Sequence, residues 1–430
     1  MNDSPLNIAV IGAGPVGLAL ALHAARTLPD ANVTLFDARP VDKDVAGDPR
    51  TLALSLGSVQ ILERLGAWRA ELAQPILEVH VSQQPPSAPP FLPDFINARL
   101  GEPELRIRAI DEAVPMLGAV LSYGAIVAPL QQVWMAAEAA EPKRLRSRFG
   151  APVAALKNLR DGDAVGARGF GLGLGISINT GAGAGSSTGV EVDAGIAERF
   201  DLAVVAEGGV FADQARKAIT HDYQQTAWVG KVTFAATETG RAQGVAFERF
   251  TRHGPAALLP LKDGSAGLVW CVTSADDPVA ELDDAQRVTV LNSIFHAAVG
   301  RIESISALKR FPLGLNAERT LTDGRSVRIG NAAQTLHPVA GQGLNLGLRD
   351  AFELVQALSR NPDVNAVLRQ LEWQRGPDRW AMIAATDFLA RSFTWKLPGA
   401  GAARGIGIAA LQALAPLKSA LAKQMMYGRR

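Results

Sequence analysis

The sequence contains a single cysteine, Cys271, among 430 residues. An intrachain disulfide is therefore impossible, and a cysteine-based metal cluster is excluded as well. An excess of one charge sign is also missing, because 43 basic residues stand against 42 acidic ones. That balance gives no electrostatic reason to expect nucleic acid as a partner. The sequence predicts neither a metal site nor a nucleic-acid interface.

Long hydrophobic runs are absent too. No uninterrupted apolar stretch reaches the ~18 residues of a membrane-spanning helix, so none is predicted. The first residues, MNDSPLNIAVIGAG, lack the basic segment and the cleavage site of a secretion signal. We therefore expect a cytoplasmic protein. Its length and its hydrophobic fraction of 48% indicate a globular chain with two intertwined domains.

A glycine motif follows the first apolar run of the chain. It consists of Gly12-Ala13-Gly14-Pro15-Val16-Gly17, and a second apolar run further on ends at Asp37. The order strand, GxGxxG, helix, strand and acid is typical of a dinucleotide-binding βαβ unit. Gly12 permits the tight turn, Gly14 lets the backbone approach a pyrophosphate, and Gly17 allows the helix to pack closely on the strand. Asp37 is predicted to accept hydrogen bonds from a ribose hydroxyl.

A second glycine-rich segment, residues 327–348, has the pattern of a strand, a loop and a helix N-terminus. Its apolar residues adopt a helical period near Leu344. The loop is nearly uncharged and rich in glycine and amide side chains, which suits backbone packing against a bulky, flat, polar ligand. Taken alone, the segment is equally compatible with an ordinary structural turn.

Between these motifs, several apolar runs predict strands. Residues 200–205 predict a buried strand that leads into Glu207, which is either a cofactor-binding carboxylate at the end of a parallel strand or a turn residue. Later short runs with turn signals predict an antiparallel sheet in a separate substrate domain; they are residues 226–237, 246–251, 256–260 and 267–273.

Three segments are predicted from composition and spacing alone. Residues 117–140 predict a helix that Pro129 either starts or breaks. Residues 166–189 contain nine glycines and predict a β-hairpin with a long flexible tip. After residue 358 the pattern is helical, and four aromatic residues are predicted to form a packed face; they are Trp373, Trp380, Phe388 and Phe393.

The last segment, residues 402–427, combines regularly spaced apolar residues with Arg404, Lys418 and Lys423. A basic amphipathic segment of this kind is suited to the surface of a membrane. Docking against the body of the protein, or against another subunit, is at least as compatible with the pattern.

These motifs together resemble the FAD-dependent aromatic hydroxylases of ubiquinone biosynthesis, of the UbiH/UbiF type, within the wider para-hydroxybenzoate hydroxylase class. The resemblance is carried by the GxGxxG motif, Asp37, residues 50–55 (RTLALS) and, most specifically, residues 330–338 (GNAAQTLHP) and 341–347 (GQGLNLG). It covers almost the whole chain. The resemblance implies an α/β fold in which a discontinuous Rossmann-like FAD-binding domain carries an inserted mixed or antiparallel β-sheet substrate domain and C-terminal helices.

The resemblance also implies domain boundaries. The FAD-binding domain would comprise residues 1–74, 107–209 and 316–358, and the substrate domain residues 75–106 and 210–315. Residues 359–430 would form the C-terminal helical region.

Carried over by position, the family's FAD-binding residues are Gly12, Gly14, Pro15, Val16, Gly17, Asp37, Arg50, Glu207, Gly330, Asn331, Pro338, Gly341, Gln342, Gly343, Leu344 and Asn345. Arg50 would lie along the cofactor, and Asn331 beside the ribityl chain. Glu207 departs from the usual Ala-Asp-Gly pattern, with a ribityl or NAD(P)H contact implied. The isoalloxazine ring would be lined by Pro338, Gly341, Gln342, Gly343 and Asn345.

The activity implied is hydroxylation of the aromatic ring of a polyprenylated phenol with NAD(P)H and O2, as in a 2-octaprenyl-6-methoxyphenol hydroxylase. His337 would be either a catalytic proton carrier or a structural hydrogen-bonding residue. Another FAD oxidoreductase of the same scaffold, such as a prenyl reductase, and a non-catalytic flavoprotein subunit are the alternatives. A lipid-tailed substrate further implies contact with the inner face of the membrane or with other ubiquinone-biosynthesis proteins.

Overall fold

The computed structural model of the chain describes residues 5–84, 102–160, 177–178, 187–208, 218–235, 243–295, 297–336, 342–394 and 400–428. In chain order, the strands are β1 (Asn7–Ile11), β2 (Asn32–Asp37), β3 (Thr51–Ser55), β4 (Gln74–Ile76), β5 (Glu78–Gln83), β6 (Glu104–Arg108), β7 (Gly118–Ser122), β8 (Leu145–Phe149), β9 (Ala155–Leu159), β10 (Ser177–Ile178), β11 (Gly189–Asp193), β12 (Ala197–Phe200), β13 (Leu202–Val205), β14 (Ile219–Phe234), β15 (Val245–Phe250), β16 (Pro255–Pro260), β17 (Ala266–Thr273), β18 (Ile302–Ile305), β19 (Lys309–Ala317), β20 (Thr322–Asp323), β21 (Ser326–Arg328) and β22 (Gln334–Thr335). The helices are α1 (Pro15–Thr27), α2 (Leu56–Arg64), α3 (Tyr123–Ala140), α4 (Asp284–Ile294), α5 (Gln342–Arg360), α6 (Val364–Thr394), α7 (Ala400–Ala413) and α8 (Ala415–Tyr427).

The first layer is a six-stranded sheet in the order β20-β21-β13-β1-β2-β8. All neighbouring strands run parallel except β20 and β21. β1 lies in the middle because residues 8–11 are apolar and buried, as strands covered on both faces must be. The sheet joins the beginning of the chain to segments some 200 and 320 residues later. The predicted α/β fold with a discontinuous Rossmann-like domain is confirmed.

The second layer is a nine-stranded sheet in the order β22-β19-β14-β17-β16-β15-β5-β6, with β18 paired to β14. β5 is parallel to β15, and the other pairs are antiparallel, so the predicted mixed sheet is confirmed. One face packs against α4, where Trp228, Leu258 and Leu268 meet Leu291 and Ile294. The smaller sheets have the orders β10-β9-β11-β12 and β3-β7-β4. The exact domain boundaries stay a prediction.

The segment 117–140 differs from the predicted helix. Its first residues form β7, and α3 begins at Tyr123, where the Ser122 hydroxyl accepts a hydrogen bond from the Ala125 N–H at 3.1 Å. Pro129 neither starts nor breaks this helix but lies inside it, buried. A proline removes one backbone hydrogen bond, and burial of Trp134 and the other apolar residues on the same helix offsets that cost.

The prediction that the aromatic residues of α6 form a packed face is wrong, because this face points to solvent. Trp373 is 83% exposed and Phe388 60%, and Trp380 also reaches solvent. The buried face instead carries Arg375 and Asp378, whose charges are paired inside the protein. Periodicity identified a common face correctly, but charge pairing decided which face is buried. The side chain of Phe393 lies outside the described part of the chain.

The C-terminal helices dock on the body of the protein. Gln424 donates a hydrogen bond to Asp378 at 2.8 Å, and Ser419 donates one to Glu112 at 2.7 Å. Of the described helices, no single one is long and apolar enough to cross a membrane. Residues 403–413 and 415–427 pass that test only as a pair, bent by 98°. The predicted hairpin at 166–189 lies almost entirely outside the described residues.

Candidate functional site

The first loop of the site is the turn between β1 and α1. Gly12 has a φ of +103°, and a Cβ there would lie 2.8 Å from the Cα of Glu207. A Cβ on Gly17 would lie 1.8 Å from the Gly12 carbonyl oxygen. Gly14 is different, since a Cβ there would meet only the Tyr123 hydroxyl, at 3.7 Å. The loop is therefore packed tightly on two sides and open at Gly14.

The N-terminus of α1 fits a pyrophosphate at this opening. Gly14 is the N-cap residue and gives the helix no side-chain cap, Pro15 occupies the first turn, and that turn contains no acidic residue. The N–H groups and the positive end of the helix dipole are thus available to an anion. The cradle formed by Gly12, Gly14 and Gly17 fits the diphosphate of a dinucleotide.

Asp37 stabilises the same loop through hydrogen bonds. One carboxylate oxygen accepts the Ala13 N–H at 2.5 Å, and the other accepts the backbone N–H and the Nε of Arg39 at 2.7 and 2.9 Å. Arg39 also donates to the Ala13 carbonyl at 2.7 Å. The predicted ribose contact of Asp37 stays a prediction, since the carboxylate here orders the loop. Arg39 was missed from the sequence, although its position two residues after the acid was a signal.

Arg50 lies beside the first loop and contacts Tyr123. Its guanidinium pairs with Asp48 at 2.8 Å and lies 4.2 Å from the ring centre of Tyr123. Hydrogen bonds from Arg50 lower the pKa of Asp48, and burial raises the pKa of Tyr123, so the phenol of Tyr123 stays protonated beside Gly14. Tyr123 was also missed, because only the fold brings the start of α3 to this loop.

Asn331 joins the second loop to the first. Its side-chain amide donates to the Gly208 carbonyl at 3.3 Å, and its Oδ1 lies 3.6 Å from where a Cβ of Gly343 would be. Gly330 has a φ of +59°, a left-handed conformation that favours glycine. A Cβ there would lie 3.3 Å from Val16 of α1. The two glycine motifs, far apart in sequence, therefore meet.

Asn345 ties α5 to β3. Its side-chain oxygen accepts the Ser55 N–H at 2.8 Å, and its nitrogen donates to the Ala53 carbonyl at 3.2 Å. The segment that follows Arg50 is thereby held against the helix that begins at Gln342. Leu344 lies half-buried in the first turn of that helix. The predicted contacts of these residues with a flavin ring stay predictions.

Glu207 lies at the carboxyl end of β13, next to Gly12. Its residue surface is largely exposed, yet partial desolvation, together with the charge of Asp37, raises the pKa of its carboxyl group. The structure thus brings Glu207 to the first loop, and its predicted cofactor contact stays a prediction. His337, Pro338 and Gly341 lie outside the described residues.

The nine-stranded sheet presents an apolar surface next to these loops. A Cβ on Gly267 of β17 would lie 3.1 Å from the Thr51 side chain, one residue after Arg50. The same face carries Val81, Ala257 and Val269, each partly accessible, whereas the opposite face is buried against α4. We call these apolar residues and their neighbours on this face the floor.

Residues 205–381 match the family described as FAD binding domain. The matched region contains Glu207, Asn331 and the whole of α5. The chain thus carries an FAD site, and the open cradle at Gly14 fits that cofactor.

Two curated relatives match over nearly the full length. The ubiquinone hydroxylase UbiL of Rhodospirillum rubrum is 27% identical over 99% of this chain and 90% of its own. The 3-demethoxyubiquinol 3-hydroxylase of Escherichia coli is 28% identical over 97% of each chain. An uncharacterized protein of Synechocystis is 33% identical, but only over 47% of this chain and 50% of its own.

Solved structures share the fold. Klebsiella pneumoniae HpxO, complexed with FAD and uric acid, has a TM-score of 0.64 and 15% identity, and the match covers 98% of this chain and 97% of that one. The p-nitrophenol 4-monooxygenase PnpA of Pseudomonas putida has a TM-score of 0.66 and 14% identity, covering 99% of both. At these identities the likeness speaks for the fold.

Proposed function

We propose that this chain, an FAD-dependent aromatic hydroxylase homologous over its length to hydroxylases of ubiquinone biosynthesis, hydroxylates the ring of a polyprenylated phenol with NAD(P)H and O2. The observation that carries this proposal is the position of the floor. An apolar surface begins one residue from Arg50, beside the loops that hold the cofactor. A polar ring with a long hydrocarbon tail needs this combination of a reactive polar end and an apolar surface.

The protein's own part in the reaction is to bind the cofactor, to orient the substrate ring and to exclude water from it. Bound FAD supplies the acceptance of hydride and the activation of O2. Gly14 and the N-terminus of α1 hold the diphosphate, while Arg39 and Asp37 keep their loop in place. Asn331 and Gly343 flank the cofactor from the other motif. The floor shields the reacting ring from water, which strengthens the electrostatic interactions within the site.

The direct test is turnover by the purified protein with FAD, NAD(P)H and a prenylated phenol. We expect oxygen consumption that depends on the phenol, and a product that has gained one oxygen atom. Mass spectrometry of the product checks this and identifies the ring carbon. Protein that binds no FAD contradicts the proposal. Reduction of the substrate without oxygen uptake indicates a reductase, and bound FAD that NAD(P)H never reduces indicates a non-catalytic flavoprotein.

We further propose that the protein works at the inner, cytoplasmic face of the membrane and docks there through the C-terminal hairpin, α7 and α8. Three of the exposed apolar side chains lie on this hairpin or at its turn: Ile406 at 55%, Leu414 at 53% and Leu417 at 50%. Beyond Asp387 the sequence has no acidic residue but seven basic ones. These are Arg391, Lys396, Arg404, Lys418, Lys423, Arg429 and Arg430. Exposed apolar residues beside a purely basic charge suit an anionic lipid surface.

Deleting the hairpin is a poor test, because α8 also packs against the body through Gln424 and Ser419. The sharper variant combines Ile406→Gln, Leu414→Gln and Leu417→Gln. Ile196→Gln is the matched control, since Ile196 is 70% exposed on a different turn. We expect the triple variant to lose sedimentation with phosphatidylglycerol-containing vesicles, while the control keeps it.

Wild-type binding should weaken in high salt, because the basic residues contribute through screened charge. Equal vesicle binding by the triple variant and the wild type would remove the hairpin from the proposal. If the wild type ignores vesicles, the same surface meets a protein, either a second subunit or another ubiquinone-biosynthesis protein.

A further inference from the structure

The floor contains one carboxylate, Glu248 of β15. The register of the sheet places Glu248 opposite Val81 of β5 on one side and opposite Ala257 of β16 on the other. Ala257 in turn pairs with Val269, and Val269 with Val229. Directly opposed residues share one face of a sheet. Glu248 is thus flanked on its face by apolar side chains across five strands.

The exposure pattern shows that this face is packed less completely than the other. Glu248, Val81 and Ala257 are each partly accessible, while their sequence neighbours are buried. Phe247, next to Glu248, packs into the core under α4 on the other face. Alternation of this kind is expected where one face of a sheet is packed and the other is covered less completely.

The face that carries Glu248 extends to β3, beside the loops of the candidate cofactor site. Gly267 lies on the same face and on the same strand as Val269. A Cβ on Gly267 would lie 3.1 Å from the side chain of Thr51 in β3. Ser55, at the far end of β3, is bonded to Asn345. On the other side, Ala246 and Phe250 share the face of Glu248 and pack with residues of the C-terminal helices. Glu248 therefore lies between the cofactor loops and the hairpin.

Among the described residues, the carboxylate of Glu248 has no hydrogen-bond or ion-pair partner. A carboxylate kept for structure is normally paired or hydrogen-bonded when it is removed from bulk water. The neighbouring Arg249 does not serve it, because that guanidinium points to the other face and pairs with Glu102 at 2.7 Å. An apolar, incompletely packed face with a single available acceptor suits a ligand that brings its own hydroxyl donor.

We propose that Glu248 is the catalytic residue that accepts the hydrogen bond, and then the proton, of the substrate's phenolic hydroxyl. The inference rests on the proposed function and names the base for that reaction. The phenolic O–H bond breaks, an O–H bond forms on the Glu248 carboxylate, and the electron pair left on the phenol oxygen enriches the ring for attack on activated oxygen. One oxygen atom of the activated O2 bonds to the ring carbon as the O–O bond breaks, and the other oxygen atom leaves as water. The ring carbon then loses its own proton to solvent, and Glu248 returns its proton to the phenol oxygen before the next turnover.

The acid–base properties of the site agree with this role. Burial raises the pKa of Glu248 to about 7. A phenol has a pKa near 10, so this carboxylate is a better match than an exposed glutamate of about 4.3. The group is still largely ionised slightly above neutral pH. Activity is therefore expected to rise as the pH passes through about 7, where Glu248 becomes able to accept a proton.

The other ionisable groups near Glu248 leave that assignment intact. Cys271 faces the same side from β17; burial raises its pKa, as does the charge of Glu248, so it remains a neutral thiol. Lys309 of β19 pairs with Val229, at the end of the series of opposed residues that contains Glu248, and is exposed. On β5 the titratable side chain next to Val81 is His80, which packs on Phe247 at the other face. Arg50 adjoins Thr51 and is engaged by Asp48.

The test compares Glu248→Gln and Glu248→Asp with the wild-type holoenzyme. We expect Glu248→Gln to bind FAD and be reduced by NAD(P)H as the wild type is, but to hydroxylate the phenol about 100-fold more slowly or worse, the scale of a lost general base. The rise of activity near pH 7 should disappear in Glu248→Gln. It should persist, at lower activity, in Glu248→Asp, which keeps a carboxylate.

A binding readout avoids dependence on turnover. An ortho-nitrophenol carrying a prenyl tail changes its visible absorbance when it ionises. We expect it to ionise at higher pH when bound to the wild type than when bound to Glu248→Gln, because the nearby Glu248 carboxylate opposes a second negative charge. Equal ionisation of the bound probe, or an unchanged pH profile in Glu248→Gln, overturns the inference while the proposed function stands. A wild type that binds FAD but never hydroxylates overturns the proposed function itself.

Discussion

At the scale of single residues, the glycines of the first loop differ in what a methyl group would meet. Gly14 has room for a Cβ and an ordinary backbone conformation, with a φ of −75°. Gly17 has no room for a Cβ, since that atom would overlap the Gly12 carbonyl oxygen. We therefore expect Gly14 to matter for the cofactor and Gly17 for folding.

Gly14→Ala and Gly17→Ala separate these two needs. We expect Gly14→Ala to fold with an unchanged melting temperature of the FAD-free protein and to bind FAD at least about tenfold more weakly, because its methyl group occupies the approach to the diphosphate. Gly17→Ala should destabilise the fold by about 3 kcal/mol. Thermal melts and flavin-fluorescence titrations check both. Equal FAD affinity in Gly14→Ala and wild type would move the diphosphate away from this loop.

Glu248 also predicts a pH dependence of stability. Its pKa rises from 4.5 in the unfolded chain to about 7 in the folded protein. Between those values the folded state holds the proton that the unfolded state has lost, so stability falls as the pH rises and the loss is complete above about 7. Replacing Glu248 with glutamine removes this cost.

Glu248→Gln should therefore be more stable than the wild type at pH 8, by on the order of 2 kcal/mol, and nearly equal to it at pH 4.5. Melting curves at the two pH values measure the difference. A variant less stable than the wild type at pH 8 would mean that the carboxylate is paired when ionised. A stabilising change that abolishes activity is expected where a site requires an unfavourably buried group.

At the scale of elements, α6 inverts the usual arrangement of a helix. Trp373, Trp380 and Phe388 reach solvent, whereas three charged residues are buried: Arg375, Asp378 and Arg379. Arg375 bonds to Asp350 of α5 at 2.8 Å and to Asp378 at 2.9 Å. Gln424 of α8 donates to the second oxygen of Asp378. Asp378 thus connects α6 with the C-terminal helix and, through Arg375, with α5, which carries predicted flavin-binding residues.

Asp378→Ala is expected to cost about 3 to 5 kcal/mol, because it leaves the buried charge of Arg375 with one partner fewer. It should also raise hydrogen exchange in α8, which loses its bond from Gln424. Glu198→Ala is the control, since Glu198 pairs with Arg148 at 2.6 Å near the surface. That variant should change stability by less than about 1 kcal/mol. Similar effects of both variants would mean that the buried network adds little.

At the scale of the whole molecule, local sequence patterns predicted the secondary structure but not the contacts between distant elements. The βαβ unit and the short strands of the mixed sheet follow from period and turn residues, which are local properties. The direction of the α6 aromatic face, the place of Tyr123 at the loop and the isolation of Glu248 depend on contacts with other elements, which a local pattern does not contain. Periodicity defines a face but does not determine what covers it.

The long connection between the two glycine motifs also governs when the site forms during synthesis. Ser55 is bonded to Asn345, a separation of 290 residues. At roughly 5 to 20 residues per second, a ribosome needs about 15 to 60 seconds to cover that distance. Throughout that interval the first loop exists without Asn331, Gly343 and α5. The proposed cofactor site therefore predicts that flavin loading is a late step of biogenesis, after translation has passed residue 345.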